Sequence, residues 1–108
     1  MTIQEIRKDL DEIRCFYVML THFREGTKVI PNKHLEDKIA KYSNAIRMAP
    51  TKIYAIYLAR YIQNRTQVEL ANDWGYSEVY IRKLNKQLYE FFIKYFDRAG
   101  EQEKTDEA

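Results

Sequence analysis

The sequence predicts an all-α protein, and three observations carry that prediction. Apolar residues recur at steps of three and four along most of the chain, the spacing that lines one face of a helix. Helix breakers are scarce: 108 residues include two prolines and three glycines, against five phenylalanines and nine tyrosines. Finally, threonine or serine stands at several points where a helix would begin, twice with a glutamate three residues later.

A chain of this length makes one domain with one core. Its first helix is read from Ile3, Ile6, Leu10, Ile13, Tyr17 and Leu20, a heptad seam of nearly three repeats, started by a Thr2/Glu5 capping box. Gly26 and Pro31 mark a loop over about residues 25–33. A second seam follows at Leu35, Ile39, Tyr42, Ile46 and Ala49, and ends before Pro50, because the residue ahead of a proline is pushed out of the helical region. The two seams predict an antiparallel hairpin over residues 1–50, with a second copy of the chain as the alternative partner for these faces. Thr51 is placed to cap a third helix that buries Ile53, Ile56, Tyr57 and Tyr61.

The stretch TQVELANDWGYSEVYIRKL, residues 66–84, has two helix starts eleven residues apart. Thr66 with Glu69 forms a second capping box and opens a helix that buries Val68, Leu70 and Ala71 and runs to about Asp73. Gly75 supplies the left-handed residue that a sharp reversal needs. Ser77 then caps a last helix that buries Ile81, Leu84, Leu88, one of Phe91 and Phe92, and Tyr95. A short helix, a glycine turn and a longer helix, with small Ala71 where the two cross, form the helix-turn-helix pattern. The motif occupies residues 51–99, and residues 100–108 read as a disordered acidic tail.

With Ile81, Leu84 and Leu88 facing inward, Glu78, Tyr80, Arg82, Lys83 and Lys86 are left around the outside of the last helix. In such motifs this is the part that enters the DNA major groove. Arg82 has the geometry to read a guanine edge, and Lys83 and Lys86 suit phosphates or guanine. Tyr80 suits a thymine methyl or a phosphate, and Glu78 suits a cytosine amino group. The candidate DNA-binding residues are Gln67, Ser77, Glu78, Tyr80, Arg82, Lys83 and Lys86. The charge balance agrees: residues 1–99 carry seventeen Lys/Arg against twelve Asp/Glu, most of the surplus lying in residues 26–65.

The run YLARYIQNRTQVELANDWGYSEVYIRKLNKQLYEFF resembles the fourth region of bacterial sigma factors and the small phage and mobile-element regulators that share its helix-turn-helix, most of all the phage late-gene activators. The residues that carry the likeness are Tyr61, Thr66, Glu69, Ala71, Gly75, Tyr76, Ser77, Ile81, Arg82 and Leu84, within about residues 54–96. Glu78-Val79-Tyr80 departs from it, since relatives are often more basic or polar there. The resemblance implies a transcriptional regulator that binds double-stranded DNA and touches RNA polymerase; a homodimer through the N-terminal helices is expected from the apolar surface of the heptad seams and from the use of such motifs in pairs on palindromes. The alternative is a protein-binding module directed at a host protein.

Other classes find little support. His22 and His34 lack metal-ligand spacing, Glu36 and Asp37 are neighbours that a helix points apart, and no glycine-rich phosphate loop is present. The expectation is therefore a non-enzyme without cofactor or metal. Cys15 is the only cysteine, which excludes an intrachain disulfide and suits a reducing cytoplasm. The charged N-terminal turns and the lack of a long apolar run predict neither a signal peptide nor a membrane span.

Overall fold

The structure, a computed structural model, describes residues 1–22 and 32–106, with the backbone alone for 100–106. It is all-α: α1 (Ile3–His22), α2 (Lys33–Ile46), α3 (Thr51–Tyr57), α4 (Gln67–Trp74) and α5 (Glu78–Asp106), with no strand among the described residues. The loop expected at about 25–33 lies largely outside the described residues.

Local chemistry explains most of the helix ends. Thr2 Oγ1 accepts the Glu5 N–H at 3.2 Å, one arm of the predicted capping box. Asn32, which the sequence reading passed over, caps α2 through its side chain, accepting from the Leu35 N–H at 2.8 Å. Instead of continuing to Ala49, α2 stops at Ile46 and tightens. The Met48 and Ala49 N–H groups bond to carbonyls three residues back, as the approach to a proline requires. Pro50, and not Thr51, is the cap residue of α3: the ring already fixes the extended-to-helical corner, so Thr51 becomes the first helical residue.

Beyond Tyr57, α3 widens into a π-helical turn, Leu58–Ile62, closed by Gln63 N–H on the Leu58 carbonyl at 2.9 Å. Asn64 then takes a left-handed φ of 53°, a conformation asparagine tolerates better than most residues. Nothing in the residue spacing announced this turn. It nonetheless keeps Ala59 and Tyr61 buried on the same side as Ile53, Ile56 and Tyr57, the four expected α3 core residues included.

The core gathers around Phe92. Its ring meets Tyr42 edge-on at 4.8 Å and Tyr57 at 5.9 Å, and stacks on Phe96 at 5.8 Å, which ties α2 and α3 to α5. Ile6, Leu10 and Ile13 are wholly buried, with α1 packed on the π turn, α5 and α2. The middle of the first heptad seam is therefore occupied inside the chain, and is closed to the second copy that the sequence offered it. Ile3 and Leu20, at its two ends, are exposed. In the second seam Tyr42 and Ile46 are buried, and Ile39 and Ala49 pack partly against the core.

A polar clamp fixes α1 on α2. Lys38 Nζ reaches Glu12 at 2.6 Å and Asp9 at 3.1 Å, and the Tyr42 hydroxyl donates to the other Asp9 oxygen at 2.7 Å. The Glu12 bond holds the Lys38 ammonium above its usual pKa against partial burial, with Asp9 adding to it. At the other end, α5 runs to Asp106, well into the stretch read as an acidic tail. Residues 101–106 contain no proline, and glutamate, glutamine and lysine are good helix formers.

Three buried tyrosines link stability to alkaline pH. Burial pushes Tyr57 up to about 12 from an ordinary 10, and burial raises Tyr42 and Tyr61 further. The folded state thus favours the neutral phenols. Their contribution is complete below pH 10 and lost as pH rises through the folded values. The Tyr57 hydroxyl is buried without a hydrogen-bond partner; Ser43 nearby favours its ionised form but falls short of bonding geometry. Tyr57→Phe should therefore raise neutral-pH stability by about 1 kcal/mol and flatten the loss above pH 10, measured as denaturation midpoints across an alkaline series. A destabilised Tyr57→Phe variant would show that the hydroxyl is satisfied.

Candidate nucleic-acid interface

The segment from α4 to the start of α5 is built from caps. Both arms of the Thr66/Glu69 capping box are made, each at 3.1 Å, and the Thr66 backbone N–H followed by its hydroxyl holds the Glu69 carboxyl below the usual range. Leu70 and Ala71 are buried as expected, but Val68 is 53% exposed. Two residues before Leu70, Val68 is rotated roughly 200° away and points to the opposite side of α4. Arg65 forms an ion pair with Asp73 across the helix.

Gly75 ends α4 at φ 73° and ψ 27°, and its N–H and that of Tyr76 both bond to the Ala71 carbonyl. A Cβ at Gly75 would meet nothing within 4 Å, so the turn needs glycine for its dihedral angles and not for space. Ser77 Oγ then accepts the Tyr80 N–H at 3.1 Å and starts α5.

The inner face of α5 is Ile81, Leu84, Leu88 and Phe92, with Phe91 and Tyr95 partly buried. Asn85 is also buried, at 8% exposure, which the apolar spacing did not signal. Its amide is satisfied in a three-membered network. The Tyr61 hydroxyl donates to Asn85 Oδ1 at 2.9 Å, the Asn85 amide donates to the Tyr89 hydroxyl at 2.9 Å, and the two hydroxyls stand 2.8 Å apart. Burial, then Tyr89, raises the Tyr61 pKa and keeps the network neutral.

Six of the seven predicted site residues fall on the Ser77 cap and the first turns of α5. Glu78, Arg82, Lys83 and Lys86 are exposed, and none of the three cations joins an ion pair among the described residues. Ser77 is exposed but its hydroxyl serves the cap. Tyr80 stands apart from the cations: it is half-buried toward α3, packs against Tyr76 at 4.7 Å, and accepts a hydrogen bond from Lys52 at 3.2 Å. That bond holds the Lys52 ammonium above its usual pKa. Gln67 is the first residue of α4 and half-buried.

Two residues escaped the sequence reading. Lys52 reaches Tyr80 across a separation of 28 residues, a contact no local pattern reveals. Val79 is 66% exposed, and its spacing of three, four and seven from Arg82, Lys83 and Lys86 was legible in the chain. Among the described residues no helix is long and apolar enough to cross a membrane, and no cluster of His, Cys, Asp and Glu is placed to hold a metal ion.

No family model matches the chain, and comparison with curated proteins and with solved structures finds no match. Gly75→Val should lower stability by about 1–3 kcal/mol, because a β-branched residue resists a positive φ, while Gly75→Asn should cost less. Thermal melts of the two variants check both the size and the order, and equal losses would mean that space and not φ selects glycine.

Proposed function

We propose that this chain is a sequence-specific regulator of transcription that binds double-stranded DNA by laying the start of α5 in the major groove. One observation carries the reading: Arg82, Lys83 and Lys86 stand exposed, and without an ion pair among the described residues, on the outer side of a helix whose inner side is locked into the core. A helix with its side chains is roughly 10–12 Å across, matching a groove about 12 Å wide. Exposed cations can replace the counterions of phosphates, and a guanidinium adds bidentate recognition of guanine. Lys52, beside Tyr80 at the edge of the same surface, is placed to meet a flanking phosphate.

Specificity in such motifs commonly comes from two copies on a palindrome, which places equivalent residues one helical turn of DNA apart, roughly 34 Å. With Ile6, Leu10 and Ile13 buried inside the chain, a homodimer would use surfaces outside the heptad seam. Exposed Tyr54, Val68 and Tyr76 favour a second reading, in which this chain docks on a protein such as RNA polymerase.

Selection from a random DNA pool should enrich a defined site. Arg82→Ala should then weaken the selected site by about 1–3 kcal/mol and relax preference at one base pair. Lys86→Ala should weaken all sequences alike and lower the slope of log K against log salt by roughly one unit. A wild-type protein that enriches no sequence would overturn the DNA reading in favour of the protein partner.

A further inference from the structure

We propose that Val79 reads a thymine methyl group from the first turn of α5, an inference that rests on the DNA-binding reading above. At roughly 100° per residue, Val79 falls on the side of α5 directly opposite the buried face of Ile81, Leu84, Asn85, Leu88 and Phe92. Arg82, Lys83 and Lys86 all lie within roughly 60° of it around the helix axis. The most outward position on the first turn of α5 therefore holds a β-branched hydrocarbon, with three cations following it along the same face toward the C-terminus. Val79 contributes nothing to the core at 66% exposure, and as a β-branched residue it is a poorer helix former than alanine. Folding gives no reason for valine here, and a solvated face gives a reason against it.

A face that is apolar at its N-terminal end and cationic beyond it is complementary to an apolar group with anions beside it. The major groove offers that combination where the C5-methyl of thymine projects between two phosphate rows. Glu78 lies to one side of the stripe, so its carboxylate is not aimed along the Val79 direction.

The test replaces thymidine by deoxyuridine, one position at a time, in the DNA site selected by the wild-type full chain. Deoxyuridine keeps every hydrogen-bonding edge and lacks only the methyl. One position should weaken wild-type binding about fourfold, the equivalent of one buried methyl at roughly 0.8 kcal/mol. Val79→Ala should bind the thymidine site about as weakly and lose its sensitivity to deoxyuridine at that position alone, while keeping its response to base changes at the Arg82 position. Its melting temperature should equal or exceed that of wild type, which separates a lost contact from a damaged fold. A selected site with no methyl-sensitive position, or a Val79→Ala protein that keeps the full sensitivity, overturns the Val79 assignment and leaves DNA binding standing. A wild type that enriches no DNA overturns both.

Discussion

The hydrogen-bonded group of Tyr61, Asn85 and Tyr89 fixes how α5 is rotated on its axis, and the rest of the surface follows from that rotation. The Asn85 amide and the Tyr61 hydroxyl are buried and the Tyr89 hydroxyl half-buried, and a buried group left unpaired would cost about 1–3 kcal/mol. Turning α5 by one residue would move Asn85 by roughly 100° and strip the network of its partners. Apolar packing alone is less exacting, because Ile81, Leu84, Leu88 and Phe92 would accept small rotations. The polar group selects one of them, and that one directs Val79, Arg82, Lys83 and Lys86 outward.

The partner that makes this possible is the π turn at Leu58–Ile62. Tyr61 lies within it, four residues after Tyr57, and stays on the buried side that Ile53 and Tyr57 already define. The widened turn is held from its far side by Arg60 on the Arg65 carbonyl at 2.9 Å, and Arg65 in turn pairs with Asp73 on α4. The loop ahead of α4 is thereby joined to both sides of the motif. The α4 start is set by its own capping box and the α5 start by Gly75 and Ser77, so the two helices are defined locally and then locked tertiarily.

The N-terminal half serves this arrangement as a scaffold. Its seam residues Ile6, Leu10 and Ile13 cover the π turn and α5, and the Lys38 clamp with Asp9, Glu12 and Tyr42 holds α2 in place. Heptad spacing in a short helix is thus equally the mark of a core-facing stripe, and burial decides between the two.

By itself, the sequence determined the all-α class, the caps at Thr2, Thr66 and Ser77, the left-handed Gly75, and most of the inward residues from Ile53 to Phe92. Each of these depends on side-chain spacing or on chemistry within four or five residues. It also identified Arg82, Lys83 and Lys86 as an outward face, because the spacing of Ile81, Leu84 and Leu88 leaves them no other side. Tertiary structure alone decided the rest. The burial of Asn85, the pairing of Tyr80 with Lys52 and the closing of the first heptad seam join residues far apart in the chain, and the π turn, though local, follows from no residue spacing; there the geometry of packing and the need to satisfy buried polar groups override local pattern.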